Sequence, residues 1–175
     1  DNGLHWKGVE KISFRKGSRD GMPVPVLAKN GRTIAMAIED NGLGGTFKPV
    51  IIASRLDRGG WREGVTDADS PRRWGAHSPP LAPPVYAGAP YLRQLADGEF
   101  ILSFQQAESG DMKQSRMAVS LGNQEARNFA PPSFPFAQDQ GRAQLWNSLF
   151  IKSGQTITAV SETSQNGVSG IWIVD

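Results

Sequence analysis

Two glutamates, Glu39 and Glu162, stand at the same place in a repeated pattern, each at the end of an apolar, β-prone run. Paired carboxyl groups, one of them held protonated, are what hydrolysis of a glycosidic bond uses, about 5 Å apart for retention and further for inversion. Glu39 follows Ile34 to Ile38, where partial burial would raise its pKa and suit it to that work. It equally suits a solvated hairpin end leading into Asp40-Asn41-Gly42. Asp20 supplies a third carboxyl directly after Arg19, whose planar fork fits a carboxylate or adjacent hydroxyls. The same pair would also serve as a structural ion pair. Glu162 sits in Ser161-Glu162-Thr163-Ser164, a context that also fits an exposed loop. Asn41, Gln105 and Asn147 add polar side chains for substrate. Tyr86 and Trp146 add rings that either stack on a sugar face or fill a core. Tyr86 is preferred to Tyr91 because it precedes its strand.

These residues need elements to position them, and the chain supplies three copies of one plan. Each copy is an extended apolar stretch, a glycine turn, a β-rich stretch and a polar residue. The turns are Asn30-Gly31, Asp97-Gly98 and Ser153-Gly154. Asn-Gly and Asp-Gly tolerate the positive φ that a tight hairpin demands. Three positions after each glycine stands Ile34, Ile101 or Ile157, and eight after stands Glu39, Gln106 or Glu162. Third strands follow at Phe47–Ser54, Arg116–Ser120 and Gly170–Val174. With 20 Gly, 12 Pro and 38% apolar residues, the composition favours short strands and tight turns over disorder.

A repeat of four-stranded units is the signature of a β-propeller. The expected architecture is all-β, with about three blades of four-stranded antiparallel sheet in one partial domain spanning 1–175. Residues 1–20 carry the last strand of a blade (about Lys11 to Phe14), 21–85 and 86–140 are whole blades, and 141–175 holds three strands of a final one. An irregular β-sandwich is the competing architecture. With strand direction alternating, residues at the start of each first strand and the end of each second strand surround one central pocket. That pocket would hold Arg19, Asp20, Glu39, Asn41, Tyr86, Gln105, Trp146, Asn147 and Glu162.

The opening Asp1-Asn2-Gly3-Leu4-His5-Trp6 resembles the back end of an Asp box, roughly S-x-D-x-G-x-x-W, and Asp57-Arg58-Gly59-Gly60-Trp61 is a shortened copy. With Arg19-Asp20-Gly21-Met22-Pro23, Tyr86-Ala87-Gly88-Ala89-Pro90-Tyr91 and Leu145-Trp146-Asn147-Ser148, the chain resembles the sialidase and neuraminidase superfamily of glycoside hydrolases, including the related exo-arabinanase propellers. The resemblance implies the C-terminal half of a propeller, six-bladed when complete, that removes a terminal sugar such as sialic acid from a glycan. It makes Arg19 one member of a substrate-binding arginine cluster, Glu39 the nucleophile or base, and Asp20 or Glu162 its assistant. It also implies a secreted or periplasmic protein. Sialidases place a tyrosine nucleophile near the start of a late blade. Here that stretch is Leu145-Trp146-Asn147-Ser148, leaving Tyr86 of the neighbouring blade as the available phenol. A non-catalytic glycan-binding propeller is a second reading. A half-propeller that works only on pairing with a complementary half, or with itself, is a third.

Other classes find less support. A net charge of +2 without a basic stripe argues against nucleic acid as a partner. No apolar run approaches the roughly 20 residues that span a bilayer, so no membrane partner is expected. With no cysteine there is neither a disulfide framework nor a thiolate metal site. His5 and His77 lack metal-like spacing, and neither a metal nor another cofactor is expected. Arg72-Arg73 belongs to a loop, and Ser78 to Pro84 reads as a stiff link between blades.

Overall fold

A computed structural model describes residues 19–41, 47–55, 86–107, 111–137 and 143–175; for 19, 20, 40, 41, 47–50, 52–55 and 112 it describes the backbone alone. The Asp-box segments, both histidines, Arg72-Arg73, the proline-rich link and the expected strand at Lys11–Phe14 lie outside the described residues.

The fold is all-β. Among the described residues nine strands form three separate antiparallel sheets, each a meander in chain order. Sheet 1 is β1 (Arg19–Leu27), β2 (Thr33–Asn41) and β3 (Phe47–Arg55). Sheet 2 is β4 (Tyr86–Gln94), β5 (Phe100–Ala107) and β6 (Arg116–Gly122). Sheet 3 is β7 (Leu145–Ser153), β8 (Thr156–Gln165) and β9 (Val168–Val174). All three glycine turns join first and second strands as expected, with Gly31, Gly98 and Gly154 at positive φ.

Sheets 1 and 2 each have three described strands where four were expected, and sheet 3 has three, as expected for 141–175. Among the described residues, the only trace of a fourth strand in sheet 2 is one bridge, Val119 with Ser133. The preceding residues are Pro131 and Pro132, which lack the N–H groups a ladder needs. The repeat also needs a shift of one residue. Sheet 1 closes its hairpin with the pair Leu27–Ile34 and sheet 2 with Gln94–Phe100, one loop residue fewer. The residue equivalent to Glu39 and Glu162 is therefore Gln105, not Gln106: Gly21 faces Glu39, Gly88 faces Gln105 and Leu145 faces Glu162.

The sheets pack serially, face on face. β4 lies against β1, β2 and β3, and β7 repeats this against β4, β5 and β6. Strand alternation then assigns each face. Val24, Val26, Ala35, Ala37 and Ile51 look toward sheet 2, where they meet Leu92, Phe100, Leu102 and Phe104. Ile101 and Met117 look the other way, onto Leu149 and Ala159 of sheet 3. Both faces of β5 are covered, which is why it is buried along its whole length and reads Phe-Ile-Leu-Ser-Phe without polar alternation. Alanines on sheet 1 leave room for phenylalanines from sheet 2, so large meets small across the seam.

Gln144 was not singled out by the sequence. It is fully buried, its Oε1 accepts the Met117 N–H at 2.9 Å and its Nε2 donates to Ala137 O at 2.9 Å. It bolts β6 to the segment entering β7. It lies between elements, where no periodicity marks it.

Candidate active site at the strand ends

One irregularity recurs in all three first strands. The ladder slips between Gly21 and Val24, between Gly88 and Tyr91, and between Leu145 and Ser148. Inside each slip a non-glycine residue takes the left-handed conformation: Met22 (φ 51°), Ala89 (φ 48°) and Trp146 (φ 50°). Side chains enter this region rarely, and a bulge re-aims backbone and side chain there. Gly21-Met22-Pro23 and Gly88-Ala89-Pro90 share the local sequence; in Leu145-Trp146-Asn147 only the geometry survives.

All nine candidate residues lie at this bulged end, opposite the glycine turns. Arg19 pairs with Asn41, and Asp20 with Asp40, at the end of β1–β2. For Arg19, Asp20 and Asn41 the description stops at the backbone. Tyr86 pairs with Ala107 at the end of β4–β5.

Glu39 is the centre of the best-defined group. Alternation puts it on the same face as Ala35 and Ala37, toward sheet 2. It is buried, and its Oε2 accepts the Ala89 N–H at 2.8 Å. The bulge at Ala89 turns that N–H out of its own ladder and across the seam. Between the two residues lies Gly88, where a methyl group would collide with the Glu39 carboxylate and the Tyr86 hydroxyl. Carboxylate and phenol therefore converge over one glycine. Tyr86 is half-buried, and its pKa is raised first by that burial and second by the Glu39 charge.

The remaining candidates are distributed along the same edge. Gln105 and Asn147 are buried, and neither Oδ1 nor Nδ2 of Asn147 has a hydrogen-bond partner. Gln106 Oε1 is likewise buried and unpaired. Buried amides seldom go unpaired, and such atoms mark places where water or a ligand binds. Trp146 projects its ring into solvent, 69% exposed, so it is not a core aromatic. Tyr91 packs in the seam between sheets 2 and 3, with the Arg93 guanidinium 4.4 Å above its ring.

Glu162 lies within β8, not in a loop, and its side chain is exposed. It lines an open cleft of about 510 Å³ with Lys113, Leu145, Ser164, Ser169 and Ile171 among others. None of the other eight candidates lines that cleft. The structure thus brings Glu39 and Tyr86 together and gives Glu162 a different setting. Among the described residues no group of three or more His, Asp or Glu side chains is placed to hold a metal ion.

No protein-family model matches the chain. No curated protein matches it either. Among solved structures the fold is similar to 1,3Gal43A, an exo-beta-1,3-galactanase from Clostridium thermocellum, with a TM-score of 0.58 and 15% identity over 87% of this chain. This chain spans about a third of that protein, 34%. A protein of unknown function from Dyadobacter fermentans aligns over 86% of this chain and 40% of its own, with a TM-score of 0.48 and 10% identity. At these identities the likeness concerns the fold.

Proposed function

We propose that this chain is a section of a carbohydrate-active β-propeller, an exo-acting glycoside hydrolase that removes a terminal sugar at the bulged ends of its sheets. The observation that carries the reading is the convergence of the Glu39 carboxylate and the Tyr86 hydroxyl over Gly88. The fold's likeness to an exo-beta-1,3-galactanase supports the same class and favours a galactose-type terminal sugar over sialic acid. In this account each sheet is a blade and Glu39 is the reacting or proton-transferring carboxylate. Arg19, Asn41, Gln105 and Asn147 hold hydroxyl groups, and the exposed Trp146 ring stacks on a sugar face. Glu162, in its separate cleft, is left out of the reaction.

A non-catalytic sugar-binding propeller is the second reading. It is favoured by the Ala89 N–H, which already occupies one oxygen of Glu39. Aryl galactosides, arabinosides and sialosides, with β-1,3-galactobiose, separate the two when given to the protein and to Glu39→Gln. Glutamine keeps an acceptor for Ala89 but cannot act as nucleophile or acid. Turnover abolished in the variant supports the hydrolase, turnover that survives removes Glu39 from the chemistry, and binding without turnover supports the second reading.

A further inference from the structure

Two of the three bulges carry proline where the third carries asparagine. Inside the ladder slips stand Met22-Pro23, Ala89-Pro90 and Trp146-Asn147. Asn147 is 7% exposed, and neither its Oδ1 nor its Nδ2 has a hydrogen-bond partner. The bulge does not need this side chain, because β1 and β4 make the same left-handed turn with proline, which has no polar side-chain atom. A buried amide with both ends unpaired subtracts from stability. Trp146 subtracts further, since a bulky residue at φ 50° is strained. A strained ring beside an orphaned amide, neither required by the fold, marks a ligand site and not a packing solution.

The surroundings define the ligand's chemistry. Asn147 precedes Leu149 by two residues and shares its face, turned to sheet 2. Across the seam stands Gln105, on the face of β5 that carries Ile101 and beside Met117 in register. Gln105 occupies the position that Glu39 holds in sheet 1. The first seam therefore brings a carboxylate to its bulged end, and the second brings two neutral amides. An amide offers an acceptor and donors side by side. Hydroxyls both donate and accept, so two adjacent ones can give a hydrogen to Oδ1 and take one from Nδ2 together. A carboxylate only accepts, and would leave Oδ1 unpaired.

We propose, on the glycan reading above, that Asn147 is the specificity-determining residue of the sugar site. It reads two neighbouring hydroxyls of a neutral sugar while the Trp146 ring stacks on that sugar. Both amide atoms are closed to solvent, so binding opens the Trp146-Asn147 bulge, whose residues have no ladder pair to break. Trp146 is 69% exposed, so little packing resists the movement. What binding adds is the pairing that the closed amide lacks.

Asn147→Leu tests this, because leucine has nearly the shape of asparagine and no polar atom. Asn147→Pro copies the two sister strands and guards against a misfit of leucine. At least one of the two variants should melt at or above the parent's temperature, since two unpaired groups are gone. Parent and variants, ¹⁵N-labelled, are titrated with β-1,3-galactobiose, arabinobiose and a sialyl-galactoside. At least one of the two neutral disaccharides should bind the parent about tenfold or more tightly than either variant. The same sugar should move the Asn147 side-chain amide resonances, assigned by their absence from the variants. Two variants that both melt several degrees lower would make Asn147 a structural residue and overturn the proposal. Unmoved Asn147 amide resonances, or binding of the sialyl-galactoside with neither neutral sugar, would also overturn it. A parent and variants that bind a sugar equally well overturn the proposal alone, whereas a parent that binds none of the three overturns the glycan reading with it.

Discussion

Replacing Glu39 by alanine asks whether the carboxylate ties sheet 1 to sheet 2. The Ala89 N–H it accepts is buried and turned out of its own ladder by the bulge, so it has no other strand to bond. Losing a hydrogen bond to a charged acceptor costs about 1.5–3 kcal/mol. Removing the rest of the side chain adds a small cavity, and about 2–4 kcal/mol in total is expected. For a chain of this size each kcal/mol moves the melting temperature by roughly 2–4 °C, so Glu39→Ala should melt about 4–16 °C lower. Glu39→Gln keeps a neutral acceptor of nearly the same shape and should lose about 1 kcal/mol or less, since neutral bonds are about half as strong. Urea unfolding followed by circular dichroism, with calorimetry alongside, measures both. An alanine variant within about 0.5 kcal/mol of the parent, inside the ordinary range for surface changes, would refute the tie.

Gly88→Ala places a methyl against the Glu39 carboxylate and the Tyr86 hydroxyl, and should lower stability by about 1–3 kcal/mol while disrupting any sugar binding; unfolding and ligand titration of one sample check both. Phe104→Ala, fully buried in the seam of sheets 1 and 2, should cost about 3–5 kcal/mol, whereas the half-exposed Phe150→Ala should cost under about 1 kcal/mol in the monomer; parallel urea curves compare them. The Tyr86 phenol holds its proton above its ordinary 10.0, chiefly through burial. Its contribution to stability is complete below pH 10 and is lost as pH rises through the folded-state value. Ultraviolet titration should show Tyr86 ionising late, assigned by loss of that step in Tyr86→Phe, with Glu39→Gln reversing the shift only in part. For Asp175 the sign is reversed: hydrogen bonds from Lys152 and Thr158 hold its carboxyl below 3.8, so its contribution is present above that pH and fades as pH falls further, which acid unfolding of Lys152→Met would expose.

The repeat was legible because hairpin chemistry is local. Asn30-Gly31 and Asp97-Gly98 announce their turns, and apolar runs on either side announce the strands. The loop shortened by one residue before Phe100 was not legible, because Gly98 anchors the same pattern whichever register follows. That slip made Gln106 look equivalent to Glu39. The bulges were hidden for a related reason. Met22, Ala89 and Trp146 have no chemical feature in common, and none is a residue type that marks a left-handed backbone. Gly-x-Pro in two copies was the available hint. Placing Glu39, Tyr86 and Trp146 at one end of their sheets needed only alternating strand direction. Separating Glu39 from Glu162 needed the stacking of sheets, which puts one carboxylate in a seam and leaves the other on an open face.

The central claim is that the bulged strand ends bind sugar, and amide chemical-shift mapping tests it most directly. The ¹⁵N-labelled protein would be titrated with β-1,3-galactobiose, arabinobiose and a sialyl-galactoside. The account predicts saturable shifts at Gly88, Ala89, Trp146 and Asn147 and in the Trp146 indole for at least one sugar, with the hairpin turns at Gly31, Gly98 and Gly154 unmoved. Shifts confined to those turns, or none with any of the three sugars, would contradict it.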